Sequence, residues 1–349
     1  MPLVRIGCMP LRTDDFDYHL PPQLIAQEPA AERDQSRLLV LDRAGGTLEH
    51  HLFRDLPALL RPGDLLVANR SRVLAARVMA RKPTGGTVEL LLLRARTPDC
   101  WVAMARPSRR LHPGDRLSCG EDGLCADIAE QTGPGEWLVR FRAAGDVQAA
   151  IRAAGRLALP RYIGATSAPP ERYQTVYADR DGSVAAPTAG LHFTPNLLRR
   201  LEEGGIAARY VTLHVGPGTF RPVTAERVDD HRMDPEWGEV PDDVAGAVNM
   251  TRAAGARVLA VGTTTTRLLE SAWTERGMQA FRGETSRFIY PGYRFHAIDA
   301  LITNFHLPRS TLLMLVSAFA GHERTMAAYQ EAISLGYRFY SFGDAMLIL

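Results

Sequence analysis

The sequence predicts an α/β protein whose main domain is discontinuous and carries a small antiparallel β-barrel as an insertion. Three observations predict it. Between Arg72 and Ala143 short apolar, β-branched runs alternate with clusters of turn residues, the rhythm of a compact all-β unit. From there to the C-terminus helix and strand signals alternate, as they do in α/β domains. Similar α/β signals occur before Asn69, so the larger domain resumes after the barrel.

The barrel runs are Arg72–Ala80, Thr87–Arg96, Trp101–Ala105, Cys125–Glu130 and Glu136–Arg142. Pro83-Thr84-Gly85-Gly86, Thr97-Pro98-Asp99, His112-Pro113-Gly114-Asp115, Gly120-Glu121-Asp122-Gly123 and Gly133-Pro134-Gly135 punctuate them. In the α/β part, residues 241–254 open with Pro and two Asp and carry Val244, Val248 and Met250, which reads as an amphipathic helix. Residues 257–261 read as a buried strand, 267–276 as the helix after it and 300–302 as a further strand. Residues 311–320 are apolar enough for a core helix, and a helix at 326–335 precedes a closing segment, 337–349. The expected division is an extension at 1–11, an α/β domain from 12–71 and 155–349, and a barrel at 72–154.

Composition narrows the class. The 349 residues are 46% hydrophobic and 23% charged, the mix of a globular protein of about two domains. The longest apolar stretch, Leu312–Ala320, is about half a membrane span. Residues 1–11 lack the apolar core of a secretory signal, so a cytoplasmic location is expected. Four cysteines at irregular spacing make neither a disulfide framework nor a zinc site, and the ten histidines fall in no ligand motif. No metal is expected. The net charge is +2, but residues 71–160 hold 14 Lys+Arg against 9 Asp+Glu. The positive excess is concentrated in the barrel, as a phosphate-binding surface would be. Lys82 is the only lysine, so arginine-rich codon usage is a competing account.

Familiar cofactor loops are missing: there is no G-x-G-x-x-G, no G-x-x-x-x-G-K-[ST] and no G-x-S-x-G. Present instead are polar residues in Gly-rich segments where α/β folds place ligands. Ala185–Phe193 carries Thr188 and His192 among small residues. Val211–Phe220 delivers His214 to a Gly-Pro-Gly turn. Ala260–Arg267 places Thr263 and Thr264 where a strand enters a helix, an anion-binding position. Leu301–Leu312 carries Asn304, His306 and Ser310. Singly, each has a structural reading: a packing histidine, a helix cap, a turn.

Together these segments resemble the tRNA ribosyltransferase-isomerase family of queuosine biosynthesis. The resemblance rests on AAPTAGLHF (Ala185–Phe193), VTLHVGPGTF (Val211–Phe220), VGTT (Val261–Thr264), ITNFHLPRSTL (Ile302–Leu312) and MLVSAFAG (Met314–Gly321). DFDYHLP (Asp15–Pro21), RPGDLLVANRSRVLAAR (Arg61–Arg77) and YRFYSFGDAM (Tyr337–Met346) extend it from about Thr13 to Leu349. Three positions depart from the family pattern. Asn69-Arg70-Ser71-Arg72 replaces an Asn-Thr-Arg type turn, Asp234 stands where His is frequent, and Thr265-Thr266 replace Ser-Val.

The resemblance implies an α/β domain with an inserted barrel, and S-adenosylmethionine as ribosyl donor. It implies, as acceptor, 7-aminomethyl-7-deazaguanine at the wobble position of tRNAs with GUN anticodons (Asp, Asn, His and Tyr types). The products would be epoxyqueuosine-tRNA, adenine and methionine. Such chemistry needs a base at the ribose 5′ carbon beside the sulfonium and an acid toward adenine. His192 and His214 are the first candidates, then His306 and His231, with base and acid unassigned. Thr188, Thr263, Thr264, Asn304 and Ser310 are candidate donor contacts, and Phe193 or Tyr290 candidate partners of the sulfonium. Arg77, Arg81, Lys82, Arg106, Arg109 and Arg110 of the barrel are candidate tRNA contacts. The expected state is a monomer. Rival classes are an S-adenosylmethionine-dependent tRNA methyltransferase, which the missing first glycine loop disfavours, a non-catalytic RNA-binding module, which leaves the His- and Thr-bearing segments without purpose, and a metal-free small-molecule hydrolase, for which no nucleophile elbow or paired-carboxylate motif is present.

Overall fold

A computed structural model describes residues 11–74, 76–120, 123–156, 162–164, 166–216, 218 and 223–349. Residues 1–10 of the expected extension, and Pro217, Thr219 and Phe220 of the turn after His214, lie outside the described residues.

The main domain is built on a nine-stranded mixed sheet. Its strands run in the spatial order Phe281–Thr285, Glu236–Val240, Ala207–Leu213, Leu65–Asn69, Val258–Val261, Ala300–Asn304, Ala345–Ile348, Arg37–Leu41, Leu48–Leu52. The strands from Ala207–Leu213 to Ala300–Asn304 are mutually parallel. Leu65–Asn69, Val258–Val261 and Ala300–Asn304 are buried at every residue, as apolar strands covered on both faces must be. The edge strands Phe281–Thr285 and Leu48–Leu52 are only partly buried.

Helix Pro195–Glu203 packs on one face through Leu197 and Leu201, against Leu66, Leu259 and Ile302. Helices Asp242–Ala253, Thr263–Ala272, Thr311–Ala320 and His322–Ser334 cover the other, where Val67, Ala260 and Leu301 meet Val248, Leu268 and Leu315. Odd and even residues of the same strands thus feed separate cores.

The barrel closes from Arg77–Arg81, Thr87–Thr97, Cys100–Arg106, Glu136–Arg142, Leu124–Gly133 and Arg116–Cys119. Pairing of Ala80 with Cys119 seals the ring. Its core is its own: Val78, Leu90, Leu117, Val139 and Phe141 are all buried there. The chain enters from Leu65–Asn69 of the main sheet and returns through Gly155–Arg156, which pairs with Arg77–Val78. The α/β fold with an inserted antiparallel barrel is the class the sequence predicts.

Details differ. The run expected at Arg72–Ala80 is two strands, because Ser71–Val73 pairs with Arg180–Ser183 of the main domain while Arg77–Arg81 belongs to the barrel. Arg116–Cys119 and helix Val147–Ala154 were not anticipated: one is short, the other has a single fully buried residue, Ile151. The helix expected from Arg267 begins at Thr263, since Gly262 at φ 89° turns the chain out of the strand. The helix expected from Met326 begins at His322. Among the described residues no helix is long and apolar enough to cross a membrane.

Candidate active site at the strand ends

Parallel sheets open their crevices at the carboxyl ends of the strands, and here four adjacent strands end in polar residues. Ala207–Leu213 runs into His214, Leu65–Asn69 ends on Asn69, Val258–Val261 leads through Gly262 to Thr263 and Thr264, and Ala300–Asn304 ends on Asn304. At the usual strand spacing this row spans about 14 Å. It is a built edge rather than scattered residues.

Asn69 organises one half. Its Nδ2 donates to the Leu213 carbonyl at 2.9 Å, and its Oδ1 accepts from the Leu213 and Ser71 amides, both at 3.0 Å. A longer contact, 3.4 Å, reaches Thr264 Oγ1. Ser71 Oγ lies 2.6 Å from His214 Nδ1, and Trp237 stacks on the imidazole with centroids 5.2 Å apart. Gly182 closes the opposite side of the ring: a Cβ there would fall 2.6 Å from Nε2. Burial lowers the His214 pKa, opposed by Asp181 and Glu239, so the ring is neutral near pH 7.

His192 anchors the other half, where Phe53 stacks on it at 4.9 Å. The Asn304 amide donates to the Tyr340 carbonyl at 3.2 Å and to His192 Nε2 at 3.1 Å. Nε2 is therefore the acceptor and Nδ1 carries the proton, which goes to Ser36 Oγ at 2.7 Å; Ser36 in turn donates to the Arg33 carbonyl. Burial pushes the His192 pKa down to about 4. Asn304 Oδ1 is buried with no hydrogen-bond partner among the described residues. The halves meet where Gly262 passes Ala189, a Cβ on the glycine lying 3.6 Å from that of Ala189.

The remaining candidates fall elsewhere or serve the backbone. His306 is buried with its Nε2 2.8 Å from Thr303 Oγ1, on the side of the sheet opposite Asn304, and burial pushes its pKa to about 3. His231 packs edge-on against Phe288 in a separate turn, its pKa lowered by burial and raised by Asp234. Ser310 caps helix Thr311–Ala320, accepting from the Leu313 amide at 3.2 Å. Thr265 and Thr266 donate back to the Val261 and Gly262 carbonyls, whereas the hydroxyls of Thr188 and Thr263 make no hydrogen bond to a described residue. Phe193 is buried edge-on against Phe53, and Tyr290 packs on Phe288.

Sequence reasoning passed over Asn69, Ser71, Ser36, Gly182 and Trp237. Asn69 carried a signal, an amide ending a run of four apolar residues, Leu65–Ala68. Ser36, Gly182 and Trp237 have none, since their roles come from segments far apart in the chain.

The candidate tRNA contacts divide into paired and unpaired. Lys82 Nζ is 2.8 Å from Asp115 and donates to the Arg110 carbonyl, and Arg77 sits 3.5 Å from Glu89. Arg81, Arg106, Arg109 and Arg110 are exposed with no ion pair among the described residues. The last three border an open groove of about 960 Å³ together with Ser108 and Pro134–Glu136.

This fold and strand-end site define a discontinuous α/β protein with an inserted barrel. That architecture matches the crystal structure of an S-adenosylmethionine tRNA ribosyltransferase from Thermotoga maritima at 39% identity, with a TM-score of 0.57 over 96% of this chain and 100% of that one. The model of the queuosine biosynthesis protein family matches residues 13–348. S-adenosylmethionine:tRNA ribosyltransferase-isomerases from Thermus thermophilus and Halothermothrix orenii are 55% and 51% identical, over 96% and 97% of this chain and 98% and 100% of theirs. The chain belongs to the S-adenosylmethionine:tRNA ribosyltransferase-isomerase family.

Proposed function

We propose that the protein transfers and isomerises the ribosyl moiety of S-adenosylmethionine onto the 7-aminomethyl group of 7-deazaguanine at the wobble position of GUN-anticodon tRNA. Epoxyqueuosine-tRNA, adenine and methionine are the products. The observation that carries this reading is full-length identity of 55% to a ribosyltransferase-isomerase, joined to an unbroken row of Asn, Thr and His groups at the strand ends.

His214 takes the role of base. With Nδ1–H donating to Ser71 Oγ, the lone pair falls on Nε2, and burial keeps the ring unprotonated. The sulfonium acidifies the ribose 5′ carbon, so a neutral imidazole can remove its proton; a positioned base contributes roughly 10²–10⁴-fold. His192 has both nitrogens engaged and serves to orient Asn304. Thr188, Thr263 and Thr264 hold the donor beside the helix N-terminus at Thr263, where backbone amides point outward. The protein acts as a cytoplasmic monomer without a metal.

The test is purified protein with donor and tRNA bearing the aminomethyl base. Epoxyqueuosine by nucleoside mass spectrometry, with equimolar adenine and methionine and undiminished turnover in chelator, is the expected result. S-adenosylhomocysteine instead would make it a methyltransferase. Activity lost in chelator and restored by a divalent ion would remove the metal-free part.

A further inference from the structure

Beside His192 lies a small cavity with room of about 20 Å³, lined by Arg33, Arg172, Arg338, Ser36 and Ser341. That is enough for a group little larger than a water. Its walls gather positive charge. Arg33 donates to the Leu191 and Glu171 carbonyls at 3.0 and 2.9 Å, and Arg172 to the Ala31 and Ala30 carbonyls at 3.0 and 2.6 Å. These bonds fix both guanidiniums in place but neutralise neither. Among the described residues no carboxylate lies within ion-pair distance of Arg33 or Arg172, and Arg172 Nε is buried with no partner. Burial first, and the charge of Arg172 second, lower the Arg33 pKa. Arg338 has a distant counter-charge, Asp344 at 3.7 Å, but that carboxylate already accepts from the Arg37 and Arg338 amides.

Half-buried cations that lack a counter-ion, as Arg33 and Arg172 do among the described residues, are costly, and an anion in their midst removes the cost. Guanidinium pairs meet carboxylates through paired N–H donors, with a geometry that sets orientation as well as affinity. Resting on the donor reading above, we infer that Arg33, Arg172 and Arg338 form the subsite for the methionine carboxylate of S-adenosylmethionine. The carboxylate is the donor's one anionic group. Contact with His192, itself bonded to Asn304 at the strand ends, puts the subsite beside the donor and not beside the barrel groove.

Calorimetric titration without tRNA tests this independently of turnover, using S-adenosylmethionine and its decarboxylated analogue. The wild type should prefer the carboxylated donor by roughly 10–100-fold, the range for a hydrogen bond to a charged group. Arg172→Gln and Arg338→Gln should each pull that preference toward unity by weakening the carboxylated donor alone. Arg172→Lys should retain part of it, because it keeps the charge and loses the carbonyl braces. Thermal melts identify any variant that fails to fold, and the other then carries the test. A preference that survives both substitutions overturns the assignment. So does a loss confined to tRNA affinity and its salt dependence, which would make the group a phosphate. Failure of the wild type to bind either donor would instead refute the donor reading.

Discussion

At His214 the environment is set by neighbours on either side: Trp237 stacks on the ring and Gly182 abuts its Nε2 side. Gly182 is required twice over, by its φ of 146° and by the 2.6 Å approach. Gly182→Ala should therefore displace the imidazole, and a misplacement near 1 Å lowers kcat by roughly 100-fold. The measurement is kcat beside the urea midpoint. A kcat unchanged in a folded variant would show that the ring's position does not matter to turnover. His192 and His306 make a different prediction, about pH. Their pKa values of about 4 and about 3 lie below the ordinary 6.5, so the unfolded chain takes up the protons first. The stability from keeping these rings neutral is complete above pH 6.5 and falls as the pH drops toward 4 and 3. Near pH 5 each has lost about 2 kcal/mol. Denaturant titrations should show His306→Gln with a visibly shallower decline between pH 7 and 5 than wild type; equal slopes would mean that the ring is not buried neutral.

Among the elements, the junctions from strand to helix hold the candidate site. Gly262 ends Val258–Val261 and starts Thr263–Ala272 without a side-chain cap, which leaves the first-turn amides available to a ligand. That helix is tied to the sheet by Arg267 Nη1, 2.5 Å from Glu236 Oε2, with both side chains at most 5% exposed. The other oxygen of Glu236 accepts from the Gly216 amide at 2.9 Å, so one carboxylate fixes both the helix and the backbone just after His214. Glu236→Ala leaves a buried arginine without its partner and should destabilise the protein by about 3–5 kcal/mol. Glu236→Leu with Arg267→Met should recover most of that stability yet little turnover, because Gly216 still lacks its acceptor. Urea midpoints and kcat on the single and double variants separate these effects. Full recovery of both would reduce the ion pair to a structural brace.

For the whole molecule, the prediction concerns the barrel, whose core is separate from those of the main sheet, while the candidate site lies at the strand ends of that sheet. If tRNA lies across both, the barrel's unpaired cations carry part of the salt dependence of binding. Of the barrel's cations, Arg77 and Lys82 are committed to Glu89 and Asp115, while Arg106, Arg109 and Arg110 face solvent around the groove. Each phosphate contact contributes about 0.7–0.9 to the log–log salt slope. Neutralising the three groove arginines together should lower the slope for tRNA by roughly 2–3 and leave donor binding intact. Lys82→Gln should change the slope little, since its charge is already balanced. Affinities across a salt series decide. Equal slopes for wild type and triple variant would take the groove out of the interface.

The sequence by itself determined the architecture and the family. Burial on both faces demands unbroken apolar strands such as Leu65–Ala68 and Ala300–Ile302, and closed barrels demand turn clusters at short intervals, so both patterns are local and readable. It also brought forward His192, His214, Thr263 and Thr264, because glycines that let chain approach chain stand beside them, and Asn304, because it ends an apolar run. Only the tertiary structure decided how those residues relate. Alternation along Ala300–Asn304 sends Asn304 to the side of His192 and Thr303, with His306, to the other, a separation that no string of letters displays. Ser36 on His192, Ser71 and Gly182 on His214, and Arg33 beside Arg172 are pairings across roughly 30 to 160 residues of chain. Hydrogen bonds and charges act through distance in space, and it is the order of strands in the sheet that makes these distant residues neighbours.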